Sequence, residues 1–263
     1  MLKKELNNVG VIILAAGKGT RLNCTDRPKV MLEIGGKPIV SYIVETLLDA
    51  GFAKEQIVLV VGFKKERVKE YFGGTVIYAD QDKQLGTAQA AYVGMRELPQ
   101  DIETVLIIGG DDSAFYKKET LLDFIGQHAK NGATLSLLTT ESESFEDMGR
   151  IIRDESGNFV KVLEKEELSE EQKEIKETST GTYCFDKDWF EEIFPEMKQI
   201  EGLGELGLSK AVEMAVEHKK KIQAVKLKNN GEWFGINTEK ELEEADFRIS
   251  NGPYIRCQNK HLD

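Results

Sequence analysis

Two hydrophobic periodicities alternate along the chain. Val9-Gly-Val-Ile-Ile-Leu14 is an unbroken, largely β-branched apolar run that stops at a glycine-rich turn, the pattern of a parallel strand covered on both faces. From Pro38 to Ala50 the apolar positions Ile39, Ile43, Val44, Leu47 and Leu48 recur at helical spacing, and Gly51 supplies the stop. The same reading predicts strands over Ile57 to Val61, Thr75 to Tyr78, Thr104 to Ile108 and Ala133 to Thr140. Between them it predicts helices over Lys64 to Phe72, Thr87 to Leu98 and Lys118 to Asn131. Such β-α-β alternation implies a parallel sheet with right-handed crossovers and helices on both faces.

After Thr140 the pattern changes. Gly149 to Arg153 and Phe159 to Leu163 flank the turn Asp154-Glu-Ser-Gly-Asn158, which predicts an antiparallel hairpin. The segment 164–177 is almost wholly charged and reads as a solvated loop with a short helix. Strands follow over Thr178 to Phe185 and Ile222 to Leu227, with helices over Trp189 to Phe194, Glu205 to Lys219 and Thr238 to Arg248. With no internal repeat and no biased linker, the expectation is one α/β domain over 1–248, Rossmann-like, its sheet mixed but mostly parallel. The hairpin forms a small lid, the halves divide near residue 140, and 249–263 is a loosely ordered tail.

At 263 residues the chain can bury a sizeable core. Lys+Arg 35 against Asp+Glu 46 gives a net charge of −11, so the bulk surface repels polyanions. That argues against binding nucleic acid or an anionic membrane, and any phosphate must be held by a local site. Cys24, Cys184 and Cys257 lie far apart, and with only His128, His218 and His261 beside them no structural zinc site is expected. Isolated cysteines suit a reducing compartment, and the apolar run 11–16 is too short for a signal sequence or membrane span, so a cytoplasmic protein is expected.

The stretch richest in chemistry is Leu14-Ala-Ala-Gly-Lys-Gly-Thr-Arg-Leu22, followed by Pro28-Lys29. It sits at the carboxyl end of a buried strand, where open α/β sheets bind ligands and where small residues let backbone N–H groups approach a phosphate. Leu14, Ala15, Ala16, Gly17, Gly19 and Thr20 would supply that surface, and Arg21 and Lys29 two cations. The third glycine of a dinucleotide fingerprint is missing, and so is the glycine offset of a P-loop. A glycine-rich surface loop with incidental cations fits the spacing equally well.

These residues, however, resemble the signature of the sugar-1-phosphate nucleotidylyltransferases, and the likeness continues. Gln81-Asp-Lys-Gln-Leu-Gly-Thr87, Gly110-Asp111, Met148-Gly-Arg-Ile151, Val162-Leu-Glu-Lys165, Ser179-Thr-Gly-Thr182 and Gly235-Ile-Asn-Thr238 follow in family order. That order is similar to the uridylyltransferase domain of bacterial UDP-N-acetylglucosamine pyrophosphorylase, over roughly 9–245. The acetyl-transferring β-helix of those enzymes has no counterpart here, so the resemblance implies nucleotidyl transfer alone.

The resemblance implies Mg²⁺-dependent attack of a sugar 1-phosphate oxygen on the α-phosphorus of an NTP, UTP first. Leu14 to Gly17 would hold base and ribose, and Gln81, Gly86 and Thr87 would read the base. Arg21 would grip the triphosphate, Lys29 the phosphate in flight, and Asp111 with Asn237 the metal. Gly110, Gly149, Glu164, Ser179 and Thr180 would face the sugar. Asp112 stands beside Asp111 and could assist it. The sugar half departs from the family: Ser179 replaces an asparagine, and Gly204-Glu-Leu-Gly-Leu-Ser-Lys210 replaces Gly-Glu-Tyr-Tyr-x-Thr-Asp. N-acetylglucosamine 1-phosphate is thus joined by glucose 1-phosphate or another hexose phosphate as the expected acceptor. Rival readings are a cytidylyltransferase acting on phosphocholine or another phosphorylated alcohol, which calls for aromatic caging, and an idle sensor or subunit. The resemblance leaves a homo-oligomer open.

Overall fold

The computed structural model describes residues 6–22, 24–141, 148–163, 167–200 and 204–252. In chain order it runs β1 (Val9–Ala15), β2 (Glu33–Ile34), β3 (Lys37–Pro38), α1 (Ile39–Ala50), β4 (Ile57–Val61), α2 (Lys65–Phe72) and β5 (Ile77–Asp80). It continues with α3 (Thr87–Met95), β6 (Thr104–Gly109), α4 (Lys118–Asn131), β7 (Leu135–Glu141), β8 (Arg150–Arg153), β9 (Phe159–Leu163) and α5 (Glu170–Lys173). The last elements are β10 (Glu177–Asp186), α6 (Lys187–Ile193), α7 (Leu208–Glu217), β11 (Ile222–Lys226) and α8 (Glu239–Asn251).

Seven strands form one sheet in the order β11-β7-β10-β6-β1-β4-β5. All neighbours are parallel except β10, which runs antiparallel to both β6 and β7. The sheet is therefore mixed and mostly parallel, with helices on both faces. Alternation along β1 divides the core: Val11, Ile13 and Ala15 pack with α1, α2 and α4, whereas Ile12 and Ala16 pack with α3, α6 and α7. Ile12 and Ile13 are both fully buried, and each such side chain stabilises the fold by about 1.5–3 kcal/mol. Gly51 closes α1 in the left-handed conformation, its N–H reaching the carbonyls of Leu47 and Leu48.

From β1 the chain passes to β4 and β5 on one side, then crosses back to β6 on the other, so the order in which strands are added reverses between β1 and β6, which stay parallel. Leu14 pairs with Gly109 and Ala15 with Val61, so these strands end at one level and open a single crevice.

Several boundaries move. The strand expected from Thr75 lies at Ile77–Asp80, α3 stops at Met95, and α7 starts only at Leu208 because the preceding loop is bonded to α3. The final helix runs on to Asn251, into the stretch read as tail, and 253–263 lie outside the described residues. The β2–β3 pair was not expected; it turns through Gly35 and Gly36, both at positive φ. The expected hairpin is present as β8–β9, antiparallel, and packs against α7. It is tied to the main sheet by Arg153, whose Nε and Nη2 meet the two oxygens of Glu177 at 2.8 and 2.6 Å. Burial alone would raise the Glu177 pKa, but Arg153 and the Thr139 hydroxyl outweigh it and hold the carboxyl below its usual range.

His128 on α4 is buried with Nδ1 at 2.8 Å from the Ser136 hydroxyl, and burial lowers its pKa despite the charge of Asp186. The folded protein thus resists a proton that the unfolded chain accepts near about pH 6.5. Stability is fully present above that pH and falls as pH drops towards the depressed value. In urea melts between pH 7.5 and 5.5, His128→Gln should show a smaller acid loss than the parent; parallel losses would contradict this assignment.

Candidate active site

An open cleft of 680 Å³ lies at the switch point, bordered by Leu14, Ala16, Gly17, Lys18 and Gly19 from the turn after β1 and by Gly109, Asp111 and Asp112 after β6. The β1 turn is shaped by Gly19, at φ 69, where a Cβ would lie 2.6 Å from that of Lys29. Any side chain there would be strained in conformation and would also collide with the lysine. Gly19 O accepts from Leu22 N at 3.0 Å, which winds Thr20–Leu22 into a single turn.

Lys29 begins a second short turn after Pro28. Its stem is buried and its ammonium emerges in the cleft floor, as long cationic side chains allow. Lys29 Nζ is ion-paired to Asp111 Oδ2 and lies 2.8 Å from Asn237 Oδ1, and Arg21 Nη2 reaches that same Asn237 oxygen at 2.8 Å. Arg21, Lys29, Asp111 and Asn237, scattered through the sequence, therefore meet at one point.

Backbone pairing explains how Asn237 arrives there. Phe234 N donates to Asp112 O at 3.2 Å and Ile236 N to Asp111 O at 3.3 Å, laying 234–237 along the segment after β6. The chain then enters α8 through a capping box, with Glu241 N on Thr238 Oγ1 at 3.3 Å and Glu241 Oε2 accepting from the N–H groups of Asn237 and Thr238 at 2.8 Å.

Asp112 differs from its neighbour. It is half-buried with its Oδ1 shielded from solvent, and Gly109 makes room for it: a Cβ there would lie 2.5 Å from Asp112 Oδ1. Burial, then the charge of Asp111, push its pKa up to about 8, partly offset by the Trp233 indole and Lys29. Asp112 Oδ1 has no hydrogen-bond partner. Asp112 thus holds its proton more tightly than an ordinary carboxyl, and both it and Asp111 border the cleft.

The donor set suits a divalent ion of the magnesium type. Asp111 and Asn237 turn two oxygens onto one cationic centre, the place the Lys29 ammonium takes. Mg²⁺ takes few protein ligands and completes its shell with water and phosphate. Among the described residues no cluster of three or more His, Cys, Asp or Glu could hold a metal.

Gln81, Gly86 and Thr87 line the opposite wall. Gln81 Nε2 donates to Gly86 O at 3.1 Å and to Gln89 Oε1 at 2.6 Å. Gly86 has φ 112, and a Cβ there would meet Leu206 O at 2.4 Å. This close approach lets Leu206 N bond Leu85 O at 2.6 Å and Ala88 N bond Leu206 O at 2.8 Å. The Thr87 hydroxyl accepts from Leu208 N at 3.0 Å, so it clamps the two halves of the chain together.

Other predicted positions are placed less directly. Ala15 ends β1 inside the core, and Gly110 N is bonded to Leu14 O at 2.9 Å, between β1 and β6. Gly149 O accepts from Thr178 Oγ1 at 2.8 Å, and Thr180 is buried with its hydroxyl on Leu138 O at 2.9 Å. Ser179 lies on the irregular stretch of β10, its hydroxyl 3.4 Å from that of Tyr183; Gly181 and Tyr183 themselves border the cleft. Glu164 lies outside the described residues. Sequence reasoning missed Gln84, whose Nε2 bonds Ala16 O, and also Gln89, Tyr183 and Ile200. Its place in the 81–87 motif was the only signal for Gln84, and Gln89 carried none. Tyr183 is the one aromatic residue among those bordering the cleft; Trp189 is buried in the core, and the Trp233 indole donates to Thr180 O at 2.9 Å.

A glycine turn at the switch point of a mixed α/β sheet, with two cations and an acid–amide pair beside it, is an arrangement suited to a polyphosphate ligand. The sequence profile of the nucleotidyl transferase family matches residues 10–251, and the chain belongs to that family. It is 36% identical over 245 residues to the bifunctional protein GlmU of Carboxydothermus hydrogenoformans, covering 93% of this chain and 53% of that protein. It is 37% identical over 252 residues to GlmU of Caldicellulosiruptor saccharolyticus, covering 95% of this chain and 53% of that protein. The chain thus spans about half the length of these relatives. Its fold is shared with a solved Bacillus anthracis structure, assigned as a glucose-1-phosphate thymidylyltransferase and holding sucrose. The TM-score is 0.76 at 21% identity, covering 92% of this chain and 96% of that one. Among the described residues no helix is long and apolar enough to cross a membrane.

Proposed function

We propose that the protein transfers a nucleotidyl group from UTP, or from another NTP whose base presents an imide N–H, to a hexose 1-phosphate, releasing pyrophosphate. The observation that carries this reading is the meeting of Arg21, Lys29, Asp111 and Asn237 in a recess adjoining the cleft. In the reaction a sugar-phosphate oxygen bonds to the α-phosphorus as the bond to the β-phosphate oxygen breaks. The nucleophile is already an anion, so no general base is needed, and positioning and charge neutralisation supply the catalysis. Lys29, a point charge on a buried stem, would follow the α-phosphate. Arg21, exposed and fork-shaped, would hold the leaving pyrophosphate. Asp111 and Asn237 would hold Mg²⁺, which when bound screens the triphosphate charge and orients its oxygens.

The nucleobase would rest against Leu14, Ala16, Gln81 and Gly86. The sugar would face Gly181, Tyr183, Glu205, Gly207 and Ser209, all at the cleft wall. N-acetylglucosamine 1-phosphate follows from the family resemblance. The departures at Ser179 and 204–210, together with the named substrate of the Bacillus neighbour, put glucose 1-phosphate beside it. A cytosolic role accords with this chemistry.

A panel assay of pyrophosphate release tests the reading: UTP, dTTP, CTP, ATP and GTP, each with N-acetylglucosamine 1-phosphate, glucose 1-phosphate or phosphocholine, in Mg²⁺. Release with UTP or dTTP and a hexose 1-phosphate is expected. No release with any pair, or release only with CTP and phosphocholine, would overturn it.

A further inference from the structure

Gln89 belongs to none of the motifs above, yet it fixes the amide of Gln81. The Gly86 carbonyl can only accept, so the end of Gln81 that faces it at 3.1 Å is the NH₂. The other N–H of that NH₂ points at Gln89 Oε1, 2.6 Å away. Gln81 is itself only 5% exposed, and its backbone N–H is spent on Val61 O at 2.7 Å. With both side-chain donors engaged, what Gln81 can offer the cleft is Oε1, an acceptor.

We infer that Gln89 is a positioning residue for base selection: it locks Gln81 with its acceptor towards the base. The inference rests on the nucleotide-binding reading proposed above and deepens it. A pyrimidine whose N3 carries a hydrogen, uracil or thymine, can donate to Gln81 Oε1. Cytosine has an acceptor at N3 and would meet oxygen with nitrogen lone pair. To accept cytosine the amide must turn over, giving up its bonds to both Gly86 and Gln89. Without the Gln89 acceptor only the Gly86 bond resists that rotation.

Gln89 is well placed for this role without holding the fold. It is half-buried in the first turn of α3, and the backbone there is tied down by its neighbours, Ala88 N to Leu206 O at 2.8 Å and Thr87 Oγ1 to Leu208 N at 3.0 Å. Replacing its side chain leaves those bonds intact.

The test is calorimetric titration of UTP and of CTP into the wild type, Gln89→Met and Gln89→Glu, in Mg²⁺. The wild type should prefer UTP. Gln89→Met should narrow the UTP-to-CTP affinity ratio roughly tenfold, the worth of one anchoring hydrogen bond. Gln89→Glu keeps an oxygen that accepts from Gln81 Nε2 and should keep the wild-type preference. A merely structural role would weaken both nucleotides alike and leave the ratio unmoved. An unchanged ratio in Gln89→Met, or the same collapse in Gln89→Glu, would overturn the inference. A wild type that binds both nucleotides equally would overturn it too, leaving the nucleotide reading standing; a wild type that binds neither overturns that reading as well.

Discussion

Lys29→Ala should lower kcat about a thousandfold while leaving the protein folded. The ammonium lies where two oxygens and a cationic neighbour converge, on a stem that is buried, so it is held in position before substrate arrives. A preorganised charge of this kind acts on the transition state, where negative charge moves onto the leaving group, and losing one such donor costs on the order of 10²–10³ in rate. The loss should fall on kcat more than on KM, because Arg21 and the backbone of the glycine turn still hold the triphosphate. Lys29→Arg should recover little. A planar fork is longer and wider than an ammonium, and the Cβ of Lys29 already closes on Gly19. The fold should survive because Asp111, freed of its partner, is about one-third exposed and can be solvated. A Lys29→Ala protein with unaltered kcat would remove Lys29 from the chemistry.

Asp111→Ala should have an effect of similar size through a different route. It removes the carboxylate that shares the Lys29 ammonium with Asn237, and an amide alone holds Mg²⁺ weakly. Turnover should fall about a thousandfold, and raising the Mg²⁺ concentration should restore part of it. Direct titration of Mn²⁺ should show the same weakening without reference to turnover. Asp112 is a poor substitute, since its Oδ1 is shielded from solvent and its carboxyl gives up a proton less readily than usual. Full activity at ordinary Mg²⁺ in Asp111→Ala would place the metal elsewhere.

Much of this was legible in the sequence for reasons that are themselves physical. Buried parallel strands read as continuous apolar runs, so β1, β4 and β6 stand out, and with them the crevice at their carboxyl ends. Strand direction does not show in a hydrophobic pattern, and nothing local in β10, which lies between β6 and β7, marks it as antiparallel to both. The β2–β3 pair is too short for any alternation, although Gly35-Gly36 between Ile34 and Lys37 was a usable hairpin signal.

The site divides in the same way. Arg21 and Lys29 follow a local glycine turn and are visible on their own. Asn237 was reachable only through resemblance, because Asn-Thr before a helix is also a plain capping context. The structure uses it for both: Thr238 caps α8 with Glu241, and that cap presents Asn237 to Arg21 and Lys29. Thr87 lines the cleft while its hydroxyl accepts from Leu208 N, and the buried Thr180 hydroxyl donates to Leu138 O. The bond between Leu206 and α3, which kept residues 205–207 out of helix α7, joins segments far apart in sequence and leaves no local trace.

The central claim is that the bond broken lies between the α- and β-phosphates and the bond made joins the α-phosphorus to a sugar-phosphate oxygen. Isotope position tests it most directly. With UTP labelled at the α-phosphorus and a hexose 1-phosphate, all transferred label should appear in the NDP-sugar; with UTP labelled at the γ-phosphorus, it should appear only in pyrophosphate. Label from the γ-position on the sugar, or its release as inorganic phosphate by the purified protein, would contradict the account.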